Sequence, residues 1–186
     1  MKQVPEEIQD VYRRLGAIKD APLTRDVALL AARLALAWIF VYHGARTLFG
    51  AFGGPGIHKG SIFYGTIAHL HPAIFFTVLG GSIEFFGGIA VGLGIFGRIA
   101  AAGLTGDMAM AMATVTFGNG IASTAPGGGY ELNLALAALA LVIALLGTGR
   151  FSLDVGLRMW WEGHRSSPAN GGEVRYDKRP DRIPAS

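Results

Sequence analysis

Three ionisable side chains, Arg33, Glu84 and Asp107, stand inside long apolar runs of this sequence, and three more, His43, Arg46 and Glu131, stand at the ends of such runs. An ionisable group near the centre of a bilayer costs at least about 2.5 kcal/mol, so each needs a partner or a task. Glu84 falls about halfway along the run 73–96, Asp107 about halfway along 99–117, and Arg33 roughly a third of the way into 27–49. At about 1.5 Å per residue the three lie within about 10 Å of one depth. His43 and Arg46 close the first run on the side where Glu131 opens the fourth. The charges therefore sort into an inner polar cluster of Arg33, Glu84 and Asp107 and an outer mouth of His43, Arg46 and Glu131. Three acids against two arginines leave one carboxylate in excess, which desolvation would keep protonated. Such a group suits proton exchange with a ligand that is reduced or oxidised, and equally suits a proton-coupled carrier. A buried ion-pair network that only fixes helix register is the plainer alternative.

Other chemistries find less support. His43, His58, His69 and His71 all fall on one side of the runs, and His-x-His spacing can chelate a metal. No thiol or acidic cluster accompanies them, so they read as polar anchors at the interface and no metal site is expected. Haem held by two histidines needs both at membrane depth, and only His43 lies within a run. The chain has no cysteine, which excludes disulfides, thiol exchange and thiolate-ligated metals. Met108, Met110 and Met112 read as packing residues. The glycine-rich GGPG and PGGG segments are turns, because no strand-to-helix unit surrounds them.

The elements that must position these residues follow from composition. Charged residues make up 16% of the chain and hydrophobic ones 51%, where a soluble domain carries about a quarter charged. Nearly all the charge sits in 1–26 and 150–186, leaving a charge-poor middle. Its apolar runs, 27–49, 73–96, 99–117 and 132–147, are each close to the roughly 20 residues that cross a bilayer. The last is short, but it carries no charge and its Ala/Leu content favours helix. Backbone amides in hydrocarbon must be paired within the segment, so the runs are expected as helices. The fold class is all-α, an integral membrane four-helix bundle with amphipathic interfacial helices at both ends. Small residues at four-residue spacing accompany the charged ones: Gly80, Gly88 and Gly92 with Glu84, Gly103 and Ala111 with Asp107, and Ala37 and Gly44 with Arg33. These let helix backbones approach and turn the ionisable groups into the bundle.

The ends frame the bundle. Residues 1–24 hold a cytoplasmic amphipathic helix with Val4, Ile8, Val11, Leu15 and Ile18 on one side; Pro22 stops it, and Thr24 and Asp26 supply the N-cap and first-turn carboxylate of the first span. No cleavable leader is expected. After the fourth span Gly147 and Gly149 break the helix, and Ser152 caps an interfacial helix over 151–165 that sets Trp160 and Trp161 at headgroup level. Residues 166–186 read as a disordered cytoplasmic tail. Five basic residues before Val27, seven from Arg150 onward and Arg98 between the second and third runs put both termini in the cytoplasm of a bacterial inner membrane. The loop 50–72 then lies outside, and its segment 61–70 is apolar enough to dip into the membrane.

The order and spacing of Arg33, His43-Gly44-x-Arg46-x-x-Phe49, Gly80-x3-Glu84-x2-Gly87-Gly88, Arg98, Glu131 and Gly149-x2-Ser152-x-Asp154 resemble the DoxX family of small bacterial four-span membrane proteins over roughly residues 25–155. The resemblance implies a compact bundle associated with quinone-linked oxidoreductases, with Arg33, Glu84 and Glu131 as intramembrane features. Arg46 stands where a lysine is more usual, which keeps the charge and changes the hydrogen-bond geometry. The functional expectation is a membrane subunit of an oxidoreductase or redox-stress system, without a redox cofactor of its own, that binds a quinone or a partner enzyme. Its partners are the lipid bilayer, a redox enzyme and a second copy of the chain, with no nucleic acid. A proton-coupled transporter or channel and a structural anchor for soluble proteins are the rivals.

Overall fold

The computed structural model describes residues 22–165. The expected amphipathic N-terminal helix, up to residue 21, and the expected tail at 166–186 lie outside the described residues. Six helices make up the described chain: α1 (Pro22–Phe49), α2 (Gly56–Thr66), α3 (Ala73–Leu93), α4 (Gly97–Ala111), α5 (Glu131–Leu146) and α6 (Leu153–Arg165). A 3-10 turn (Ala51–Gly53) links α1 to α2. Beyond α4 the chain widens into a π-helical turn (Met112–Thr116) and tightens again in a 3-10 turn (Phe117–Asn119).

Three of these stretches, Leu23–Phe49, Ala73–Leu93 and Gly97–Asn119, are long and apolar enough to cross a membrane, and α5 is a shorter apolar helix. The outward faces agree with a lipid surround. Trp38, in the middle of α1, is 81% exposed, and Leu34, Phe86, Ile99, Leu141 and Leu145 are exposed as well. A water-soluble surface does not carry apolar patches of that extent. The interior is correspondingly thin: Leu29, Leu36, Phe40, Val91, Ala101, Leu104, Met108, Leu136, Ala137, Ala140 and Ile143 form the core.

Packing runs α1 on α3, α3 on α4 and α4 on α5, whereas α1 meets α5 only slightly. The α1–α3 contact is close because the facing residues are small. A Cβ added to Gly44 would stand 2.7 Å from the Cα of Phe85, and one on Gly88 would stand 3.1 Å from the Cβ of Phe40. Ala37 meets Gly92 in the same stripe, as the four-residue spacing of small residues predicts. The short helix α2 packs on α3 and α1. This is the dipping segment expected within 61–70, beginning earlier, at Gly56.

Two helix ends differ from the sequence expectation for identifiable reasons. Thr24 and Asp26 lie inside α1, because Pro22 is itself helical, a role its fixed φ suits in a first turn. Asp26, 7% exposed, turns instead to the segment that follows α5, where the Arg150 backbone N–H donates to it at 3.2 Å and the Arg150 guanidinium lies 4.0 Å away. Helix α3 stops at Leu93, short of residue 96. Gly94 takes a left-handed φ of 71° there, and the Gly94 and Ile95 amides donate back to Val91 and Ala90, a glycine-terminated helix end. At α6 Ser152 accepts the Val155 amide at 3.4 Å, the cap read from the sequence.

Candidate functional site

Where α1 and α5 stand apart, a cavity of about 450 Å³ opens within the bundle. Ile39, Phe40, His43 and Arg46 reach it from α1, Tyr64 from α2, Glu84 from α3, Met108 from α4, and Leu132, Asn133 and Leu136 from α5. The wall is mostly apolar, with a few polar groups set into it, the usual make-up of a small-molecule site. Among the described residues the side chains of Tyr64, Glu84 and Asn133 make no hydrogen bond.

Thr116, also in the wall, has a buried hydroxyl without a partner. The wide turn explains it. Thr77, Thr105 and Thr114 each donate to the carbonyl four residues back, whereas at Thr116 the π turn changes the spacing, the Met112 carbonyl taking the amide five residues on, that of Phe117. Single π turns interrupt α-helices frequently at functional sites.

Asp107 is not in this cavity. It lines a smaller one of about 200 Å³ between α3 and α4, with Gly80, Ile83, Gly103 and Met110. Tyr64 lines both. Its hydroxyl and the Asp107 carboxylate converge over Gly80, 2.6 and 3.5 Å from where a Cβ would be. Glycine is required there because the phenol fills the place of a side chain. Tyr64 thus stands between the two carboxyls, and sequence reasoning missed it. The available signal was a phenol within the dipping segment 61–70. Asn133 was missed in the same way, as the one strongly polar side chain in a run read only for its lack of charge.

Arg33 belongs elsewhere. It is 1% exposed, and its guanidinium donates to the carbonyls of Val91 at 2.8 Å and of Gly92, Thr148 and Phe151 at 2.7 Å each. No carboxylate is among these acceptors. The expected cluster assumed that the charge sits at the depth of its Cα. A helical Cα–Cβ bond points toward the N-terminus, so the long side chain runs down to the end of α3, about 10 Å from the level of Glu84. Among the described residues Glu84 and Asp107 therefore have a phenol nearby and no arginine paired with them.

At the outer end, His43 and Arg46 line the cavity. Arg46 donates to the Tyr42 hydroxyl at 3.1 Å and the Phe52 carbonyl at 3.0 Å, and its guanidinium lies 5.5 Å from the centre of the Tyr42 ring. The 3-10 turn holds it there, because Gly54 lets the chain pass against Arg46. Glu131 is not part of the wall. It is exposed and accepts the Ser123 amide at 2.9 Å, tying the 120–130 loop to the start of α5.

Compared with known proteins, residues 28–117 match the DoxX family model. No curated protein and no solved structure matches the chain.

Proposed function

The chain is a DoxX-family membrane protein, and from that premise we propose that it serves as a membrane subunit of an oxidoreductase or redox-stress system, holding a quinone in the cavity beside Glu84 and Tyr64. DoxX is a membrane family often linked to redox and stress systems. The observation that carries the reading is a carboxyl and a phenol without hydrogen-bond partners in a mostly apolar cavity of about 450 Å³. Buried polar groups are nearly always paired, and a ring with carbonyl oxygens supplies the missing acceptors while its apolar face meets Ile39, Phe40 and Leu136. Reduction of a quinone to its quinol consumes two electrons and two protons. The electrons come from a partner enzyme, and Glu84 and Tyr64 are the groups positioned to give and regain a proton. His43 and Arg46 guard the outer end. The distribution of basic residues supports placing both termini in the cytoplasm of a bacterial inner membrane.

Gentle purification followed by mass spectrometry of co-purifying small molecules and proteins tests this reading. A quinone is expected with the wild type and at least about tenfold less of it with Glu84→Leu or Tyr64→Phe, the effect of losing one hydrogen bond to a charged or strongly polar group. Glu84→Leu is expected to keep its melting temperature, because Glu84 has no counter-charge to lose. Neither a quinone nor a redox enzyme in the wild-type preparation would overturn the reading.

A further inference from the structure

At the opposite face of the bundle from the His43 and Arg46 mouth, three arginines from separate elements surround the turn that closes α5. Arg25 of α1 donates to the Leu146 carbonyl at 3.2 Å. Arg98 of α4 lies against Gly147, its Nε 3.1 Å from where a Cβ would stand. Arg150, 76% exposed, follows in the turn itself. Among the described residues Arg150 has Asp26 beside it, while Arg98 makes no hydrogen bond and no ion pair. Helix capping does not account for this surplus. The exposed carbonyls at a helix end attract positive charge, but Arg25 already occupies that of Leu146, and the Gly147 amide returns to Ile143.

Arg98 borders a cavity of about 590 Å³ with two kinds of wall. Phe96, Ile99, Leu146 and Val155 contribute apolar surface, and Arg98 with the Gly147–Gly149 backbone contributes polar surface. Asp154 also lines it; buried Arg33 is its electrostatic neighbour. A cavity that sets a basic group among apolar side chains, at the edge of the membrane-crossing helices, matches an amphiphile with an anionic head.

We propose that this cavity binds an anionic phospholipid, with the phosphate against the Arg98 guanidinium, Arg25 adding positive charge from its place on the Leu146 carbonyl at the cavity's edge, and an acyl chain along Phe96, Ile99 and Leu146. Basic pockets between transmembrane helices accept such headgroups. A free phosphate ion would satisfy Arg98 but would leave the apolar wall uncovered, which is why the lipid is the assigned source. The site is independent of the quinone cavity and stands or falls separately from it.

Native mass spectrometry of the full chain in a neutral detergent tests the assignment, with phosphatidylglycerol, phosphatidylcholine and inorganic phosphate as the probes. One phosphatidylglycerol per chain is expected to persist, in preference to phosphatidylcholine. Arg98→Gln is expected to weaken its retention about fivefold, as is Arg25→Gln, with Arg98→Lys keeping most of it. Both arginines are exposed, so an unchanged melting temperature without lipid shows that the variants fold. Equal retention of the two lipids, undiminished retention in the Arg25→Gln/Arg98→Gln double variant, or full displacement of the lipid by equimolar phosphate would each overturn the proposal.

Discussion

Arg33 is the residue on which sequence and structure diverge most usefully. An arginine inside an apolar run invites pairing with the nearest acids, and Glu84 and Asp107 are at a comparable depth by residue count. The guanidinium instead satisfies itself on four backbone carbonyls at the ends of α3 and α5. Removing it takes a donor from each of the four carbonyls, Val91 alone keeping the Gly94 amide, at a cost of at least about 3 kcal/mol. Arg33→Met is therefore expected to lower thermal stability in detergent sharply. Arg33→Lys is expected to do nearly the same, because one ammonium cannot serve four separated acceptors as a planar fork does. A melting curve for each checks this, and wild-type stability in Arg33→Met would refute the role. At this scale the sequence marked Arg33 as buried and Glu84 and Asp107 as at least partly so. It did not reveal their partners, since side-chain direction and backbone acceptors leave no trace in residue spacing. Glu131 makes the same point: its position at the head of a span was legible, and its bond to the Ser123 amide was not.

At the scale of elements, the apolar runs and the small-residue stripes were readable, because span length and close helix approach both follow from composition. The stripe at Gly44, Gly88 and Gly92 is where α1 and α3 meet. Gly44→Ala is expected to force these helices apart and cost about 2 kcal/mol, the usual effect of overfilling a packed contact. Gly106→Ala on α4, where a Cβ would meet nothing within 4 Å, is expected to be neutral or to stabilise by up to about 1 kcal/mol through helix propensity. Comparing the two unfolding midpoints separates packing from propensity, and equal effects would contradict the assignment of the α1–α3 contact. The π turn at Met112–Thr116 could not be foreseen, since its sequence MATVT suits an ordinary helix as well. The reach of α2 into the bundle was half legible: the apolar character of 61–70 suggested that it dips, but nothing in it said that Tyr64 would come to lie between two carboxyls.

For the molecule as a whole, the charge-poor middle with basic ends leads to a multi-pass membrane protein, and the proposed orientation can be checked directly. The chain has no cysteine, so single cysteines report cleanly. Ser123→Cys, in the exposed loop before α5, is expected to react with a membrane-impermeant maleimide on intact cells. Arg98→Cys is expected to react only after permeabilisation. The reverse pattern would invert the bundle and move the cavity beside Glu84 to the cytoplasmic leaflet.

The guanidinium of Arg33 knots α1, the foot of α3 and the turn behind α5 into a single joint at one face of the membrane, while toward the other face a cavity lies between α1 and α5. A body pinned at its base and split at its crown can yield only upward. Whatever enters between α1 and α5 therefore comes and goes through the leaflet farther from that joint, and the knotted end keeps the barrier sealed behind it.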